Sequence, residues 1–271
     1  MNCGITGHRG ILGKYFIKRF SNLNFIKYYG DINDKKKLKK WILKNDFKHL
    51  FHFAAIVPVH EVKKKYKLAK KTNYNAVKNI VDILKKKAEP VWFFFSSTSH
   101  VYGYSDKKFN ELNKTRPIND YGRLKLLAEN YIRSKLKNSN VNFCIGRIFS
   151  FTHFEQSNNF FVPGILKKNR NKHFLKKINT LRDFIDIRDI CDALKFLMQN
   201  KCCGTFNIAS GKNINLQNIF LYFHKNYKKY YIKAPPKKNI LANIKKITKQ
   251  GWKPQYDIYD SLSIFKKNKF I

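Results

Sequence analysis

The chain has 271 residues, 43% of them hydrophobic and 15% aromatic, with 56 Lys and Arg against 17 Asp and Glu. This is too apolar for a disordered chain and long enough for one large or two modest domains; no run approaches the ~20 apolar residues that span a bilayer, and Met1 leads directly into Asn2-Cys3-Gly4 with no basic and apolar leader, so a cytoplasmic protein is expected. The formal charge of +39 invites a nucleic-acid reading, but only nine of the 56 basic residues are Arg, the lysines are scattered, and Asn, Ile, Phe and Tyr, which share A/T-rich codons with Lys, are abundant, so no nucleic-acid partner is expected.

In chain order, Met1–Ile5 reads as a strand that stops at glycines, and Ile11–Phe20 as a helix burying Ile11, Leu12, Tyr15, Phe16 and Phe20. Phe25–Tyr29 reads as a strand ending at Gly30-Asp31. Asp34 is placed to cap a helix over Lys35–Lys44 with a Leu38/Trp41/Ile42 stripe. His49–Ala54 is a strand, Asn73–Lys86 a helix with Val77, Ile80, Val81 and Leu84 inward, and Val91–Ser96 a buried strand. Tyr121–Lys135 is a long helix, followed by the strand Val141–Ile145. Strands alternating with helices at this spacing specify a parallel sheet covered on both faces, an α/β doubly wound fold. Farther on, Phe161–Lys168 and Ile187–Gln199 read as helices, Thr205–Ala209 as a strand and Lys245–Lys249 as the end of a short helix. The expected division is a Rossmann-type domain over residues 1–150, to which a strand near 205–210 returns, and a smaller lobe over 151–271 at the carboxyl edge of the sheet, where such folds bind ligands. The five cysteines are odd in number and lack CxxC spacing, so reduced thiols and no metal site are expected.

Gly4-Ile5-Thr6-Gly7-His8-Arg9-Gly10 joins the first strand to the first helix. Glycines there let the backbone approach a pyrophosphate and aim helix N–H groups at it; the alternative is an ordinary tight turn. The spacing is GxxGxxG rather than GxGxxG. Asp31 follows Gly10 by 21 residues, a distance at which an acidic residue commonly holds the adenosine ribose, a capping or turn aspartate being the alternative.

Tyr121 and Lys125 are four apart and share a helix face. A phenol ionises near pH 10, and a neighbouring Lys⁺ favours the phenolate. Thr98, in the hydroxyl-rich stretch Ser96-Ser97-Thr98-Ser99 at the end of a buried strand, lies 23 residues upstream of Tyr121. A hydroxyl there is placed to bond the oxygen that Tyr121 deprotonates.

Taken together these segments resemble the extended short-chain dehydrogenase/reductase family, in its NAD-dependent epimerase/dehydratase branch acting on nucleotide sugars. Gly4–Gly10 resembles its GxxGxxG, Gly30-Asp31-Ile32-Asn33-Asp34 its GD-hydrophobic-x-D, His52-Phe53-Ala54-Ala55 its HxAA, and Asn73 and Asn79 its NxxGTxN. Ser96–Gly103 resembles its SS[ST]xxVYG, Tyr121–Lys125 its YxxxK, Arg182–Ile187 its RDF-hydrophobic-x-V, Gly204–Gly211 its GxxFNIGSG, and Gly251-Trp252-Lys253-Pro254 its GWxP. The resemblance implies that Tyr121 is the proton-transferring residue. Lys125 would bind the nicotinamide ribose and lower the Tyr121 pKa, and Thr98 would orient the substrate oxygen. Gly4, Gly7, His8 and Gly10 would hold the pyrophosphate of NAD or NADP, with Asp31-Ile32 by the adenosine and Ala54, Ala55 and Asn73 lining the cleft. Arg182 would grip a phosphate of the nucleotide sugar, an ion pair with a neighbouring aspartate being the alternative. A homodimer is also implied.

The departures are specific. Only Ser21–Tyr29 separates the first helix from the GD segment, where the family has a further strand step, so two steps are fused or one is missing, and Asp31 is either the ribose or the adenine contact. The family's 4,6-dehydratases carry Asp-Glu after the active-site Thr; here Ser99 and His100 stand there, which argues against dehydration. Its RxxNxYGP becomes Arg147-Ile148-Phe149-Ser150-Phe151-Thr152-His153-Phe154. His100 and His153 are read as loop histidines, an extra acid/base role being the alternative. The expected activity is nucleotide-sugar epimerisation or 4-ketoreduction, the latter as in a dTDP-4-dehydrorhamnose reductase. A non-catalytic cofactor-sensing or nucleic-acid-binding protein on the same fold is the rival.

Overall fold

A computed structural model describes residues 1–167 and 172–268. In chain order its elements are β1 (Asn2–Thr6), α1 (Ile11–Arg19), β2 (Asn24–Lys27), α2 (Lys35–Lys44), β3 (His49–His52), α3 (Val59–Lys64), α4 (Tyr66–Lys70), α5 (Ala76–Leu84), β4 (Trp92–Thr98), α6 (Asp120–Leu136), β5 (Asn142–Ile148), α7 (Phe161–Lys167), α8 (Lys172–Lys177), β6 (Leu181–Asp183), α9 (Ile187–Gln199), β7 (Gly204–Ile208), β8 (Asn213–Asn215), α10 (Leu216–Phe223), α11 (Lys245–Lys249) and α12 (Ile258–Lys267). Six strands pair in parallel in the order β2-β1-β3-β4-β5-β7, and β6 and β8 form a separate antiparallel pair.

The order is that of a doubly wound sheet with its outermost strand removed. A full sheet of this kind carries two strands beyond the first on this side; here β2 alone flanks β1, and α2 then carries the chain across to β3 on the far side. The short connection between the first helix and the GD segment is thus a missing step, not two fused ones.

The sheet is buried because its central strands are apolar on both faces. Alternation of side chains sends Trp92 and Phe94 of β4 to one face and Phe93 and Phe95 to the other. The first pair packs with Phe16 of α1, Phe51, and Ile190 and Leu194 of α9. The second pair packs with Leu38 and Ile42 of α2, Val77 and Ile80 of α5, and Ile132 of α6. Each fully buried Phe contributes about 2–3 kcal/mol by removal of apolar area from water. A third core joins α7, α8, α10 and α12 through Val162, Leu175, Phe220 and Leu262.

Several boundaries differ from expectation for local reasons. β2 ends at Lys27; just beyond it the Tyr28 hydroxyl turns back to donate to the Asp31 carbonyl at 2.9 Å, and a Cβ on Gly30 would lie 2.5 Å from that hydroxyl. The expected helix over Asn73–Lys86 begins in a wide π turn, Lys71–Asn75, and regular α geometry starts at Ala76. The helix expected over Phe161–Lys168 is α7; Lys168 itself lies outside the described residues. No described helix is long and apolar enough to cross a membrane.

Candidate active site

At the carboxyl end of β1 the chain turns through Gly7, whose φ of +75° is open to glycine at little cost, and whose Cβ, were there one, would lie 2.4 Å from the Ala54 backbone nitrogen. Gly10 is the N-cap of α1 and supplies no side-chain cap, so the first N–H groups of that helix remain for a ligand. A Cβ on Gly13 would meet the Gly7 carbonyl oxygen at 2.4 Å. The loop is therefore built on Gly7, Gly10 and Gly13. Gly4 lies buried inside β1 with the Phe47 ring 2.9 Å from where its Cβ would be; it belongs to strand packing. The same three-residue spacing read one step later in the sequence would have included Gly13.

Ala54 and Ala55 follow β3 as half-buried loop residues. Asn73 holds that loop: its amide accepts from the Ile56 N–H and donates to the Ile56 carbonyl, both at 2.8 Å. Asn73 thus shapes the cleft wall through the backbone. Asp31 is exposed, and its Oδ1 accepts from the Asn33 N–H at 2.9 Å and Nδ2 at 3.0 Å. Ile32 is buried with Leu38 and Tyr28. The described contacts do not bring Asp31 to the glycine loop. What meets the loop at the end of β2 is Tyr29: its ring sits 4.7 Å from the His8 ring, and the Arg9 guanidinium lies 5.9 Å over it. Burial, then the Arg9 and Lys27 charges, push the His8 pKa down, so three basic groups converge there.

β4 delivers Thr98 at its end, and α6 delivers Tyr121 and Lys125 one turn apart. All three are buried. Burial pushes the Tyr121 pKa well up, with the Thr98 hydroxyl opposing it, so the phenol is held protonated. The Lys125 Nζ donates to the Ser96 carbonyl at 2.6 Å and lies 4.7 Å over the Phe95 ring. Burial pulls its pKa down to about 7, with Glu129 opposing. An ammonium carries three donors, and Ser96 takes one, which leaves others for a ligand. In this arrangement Lys125 does not offset the burial that raises the Tyr121 pKa.

Beneath the site, Glu129 accepts from Ser97 at 2.5 Å, Arg147 at 2.7 Å and Arg133 at 2.6 Å. Burial alone would raise its pKa, but Arg147, Arg133 and Ser97 outweigh burial and hold it low. Arg147 also donates to the Tyr102 hydroxyl at 2.9 Å, which in turn donates to Asn207 at 2.8 Å. This network ties β4, β5, α6 and β7 together, and it makes Arg147 a structural anchor. Sequence reading missed Glu129, since an acidic residue inside a polar helix carries no local sign of burial.

Arg182 has no carboxylate partner among the described residues. Its Nη1 donates to Thr180 Oγ1 and to the Leu181 and Lys238 carbonyls at 2.5–2.8 Å, and burial lowers its pKa. The expected alternative of an ion pair is thereby set aside: neighbouring Asp183 accepts instead from Ser210 at 2.8 Å. His153 is buried, its ring tilted against that of Phe154 at 4.5 Å, with Nδ1 accepting from Glu155 N–H. His100 is different: its ring stands 5.8 Å from that of Tyr121, edge-on.

The GDP-mannose 4,6 dehydratase family profile matches residues 11–263. A UDP-glucose 4-epimerase of Mycoplasma genitalium is 26% identical over 73% of this chain and 66% of its own length. An ADP-L-glycero-D-manno-heptose-6-epimerase of Brachyspira hyodysenteriae is 28% identical over 92% of this chain and 91% of its own. Two solved structures share the fold: RMD from Pseudomonas aeruginosa complexed with NADPH (TM-score 0.81, 17% identity, 97% of each chain) and a Thermus thermophilus UDP-glucose 4-epimerase with NAD (TM-score 0.81, 16% identity, 98% of this chain and 99% of that one).

Proposed function

Because the chain belongs to the GDP-mannose 4,6 dehydratase family of extended short-chain dehydrogenase/reductases, we propose that it is an NAD(P)-dependent nucleotide-sugar enzyme, an epimerase or 4-ketoreductase working at a hexose carbon through Tyr121. The observation that carries the reading is the burial together of the Thr98 hydroxyl at the end of β4 and the Tyr121 phenol and Lys125 ammonium one turn apart on α6. A binding module has no use for a buried phenol, hydroxyl and ammonium grouped in this way. Membership in the family does not bring dehydration with it, since Ser99 and His100 replace the acid pair.

The glycine loop fits a dinucleotide: Gly7 and Gly10 open the backbone and the uncapped start of α1 offers N–H groups to a pyrophosphate. A bound nicotinamide would supply the hydride acceptor or donor. Thr98 and Tyr121 would hold the sugar oxygen, and Tyr121 would give or take its proton. Lys125 would offer its remaining donors to the ribose, and Arg182, a half-buried cation with no carboxylate partner among the described residues, would offer charge to the substrate phosphates.

The same site favours a cofactor with a 2′-phosphate. The ribose of a dinucleotide lies beyond the second strand, where an acidic residue suits NAD and an Arg suits NADP. Here that end of β2 presents Lys27, Tyr29 and the facing Arg9, and Asp31 is engaged with Asn33. The test incubates the purified chain with UDP-, GDP-, dTDP- and CDP-sugars and their 4-keto forms, with and without NADPH or NADH. Turnover without added reductant identifies an epimerase; stoichiometric loss of reduced cofactor identifies a reductase. Tyr121→Phe should lower either rate by about 10²–10⁴-fold; parental activity in that variant overturns the reading.

A further inference from the structure

His100 occupies the turn directly after β4, and the structure determines which of its ring nitrogens bears the proton. Asn119 is the N-cap of α6, and its Oδ1 accepts from the Gly122 N–H at 2.9 Å. A backbone N–H can only donate, so the amide oxygen must face it and the amide NH₂ must face the other way. That NH₂ group lies 2.8 Å from His100 Nδ1. Nδ1 is therefore the acceptor, and a neutral imidazole in this contact carries its proton on Nε2.

The ring is firmly placed. A Cβ on Gly122 would stand 2.2 Å from the His100 carbonyl oxygen, so turn and helix are in direct contact. The His100 N–H donates to Thr98 Oγ1 at 3.2 Å, which leaves the Thr98 hydroxyl proton for the phenol or a ligand. Among the described residues no acceptor meets Nε2. The groups facing the ring are Asn119, Tyr121 and the Arg182 cation; burial first, and then the Arg182 charge, hold its pKa below the usual value, and a donor on Nδ1 likewise favours the neutral ring.

We infer that His100 is a substrate-contacting residue whose Nε2–H donates a hydrogen bond to a sugar oxygen next to the carbon served by Tyr121, and that Asn119 is the positioning residue that fixes this tautomer. The inference rests on the reading that Tyr121 acts on a sugar. A carboxylate at this place would accept a proton from the substrate; a neutral imidazole locked as donor instead selects for an oxygen substituent. Sugars with a hydroxyl or keto oxygen there should be preferred over the deoxy analogue, because the analogue leaves a buried donor unpaired.

The test has two parts on the full-length protein. In the first, ¹⁵N-histidine NMR, assigned with His100→Gln, reads the tautomer of the cofactor-free chain from pH 5 to 8. The parent should show protonated Nε2 and bare Nδ1. Asn119→Asp, which still caps α6, should reverse this: its carboxylate requires a proton on Nδ1, and the His100 pKa should rise. In the second, kinetics use whichever nucleotide sugar the parent turns over. His100→Phe should lower kcat/KM about 10–100-fold, the range for loss of a hydrogen bond worth ~1.5–3 kcal/mol. His100→Gln, which keeps an N–H donor, should recover most of the loss. Asn119→Asp should move the acidic limb of the pH profile upward. A parent with protonated Nδ1, or a His100→Phe variant with unchanged kcat/KM, overturns the inference while leaving the role of Tyr121 intact. An active Tyr121→Phe variant removes the reading beneath it.

Discussion

Lys125→Met is predicted to stabilise the cofactor-free protein at pH 6 while abolishing turnover. The Lys125 side chain is 1% exposed and its ammonium is held by one carbonyl and one aromatic face. Its pKa falls from 10.5 to about 7 because burial disfavours the charged form. That fall corresponds to about 5 kcal/mol of penalty on the buried charge. Methionine fills a similar volume without charge, but leaves the Ser96 carbonyl unpaired at a cost of ~1–2 kcal/mol. The net gain at pH 6 is about 3 kcal/mol, or roughly 6–10 °C in Tm for a domain of this size.

The gain must fade with pH. Between about pH 7 and 10.5 the unfolded chain keeps the Lys125 proton that the folded protein has released, so stability of the parent rises through that window. The penalty is fully present below pH 7; by pH 9 about 3 kcal/mol of it is gone, at ~1.4 kcal/mol per unit. Paired melts of parent and variant at pH 6 and pH 9 cancel the other titrations of this basic chain. The variant should be clearly more stable at pH 6 and nearly equal at pH 9. A variant less stable than the parent at pH 6, or a Tm difference that does not change with pH, would refute the reasoning.

Other consequences are equally direct. Glu129→Ala leaves Arg147 buried without its carboxylate and should cost about 3–5 kcal/mol by chemical denaturation, with Glu129→Gln costing less. Gly122→Ala places a Cβ against the His100 carbonyl and should cost about 1–3 kcal/mol while weakening substrate binding; a stability within 0.5 kcal/mol of the parent, read as about that difference in calorimetry, would count against the close approach. Arg9→Glu should weaken NADPH binding at least about 10-fold and leave NADH binding little changed, measured by fluorescence titration.

The sequence alone determined the alternation of strands and helices, because periodic burial is written in side-chain order. The Trp92–Phe95 run, the Val77/Ile80/Leu84 face and the Asp34 cap could each be placed without coordinates. It also brought Thr98, Tyr121 and Lys125 into one hypothesis, since a strand end and a single helical turn are short-range geometry. Val59–Lys70 escaped because its lysines hide a narrow buried edge at Val62 and Ala69, and β6 and β8 are three-residue strands that only their mutual pairing defines. Tertiary structure decided the rest: that a strand is missing beyond β2, that Gly13 and not Gly4 completes the loop, that Arg182 meets no carboxylate among the described residues while Glu129 serves two arginines, and that Asn119 sets the tautomer of His100. Each of these depends on which groups meet across distant segments. Burial, proton position and charge compensation are properties of such meetings, and no single stretch of chain carries them.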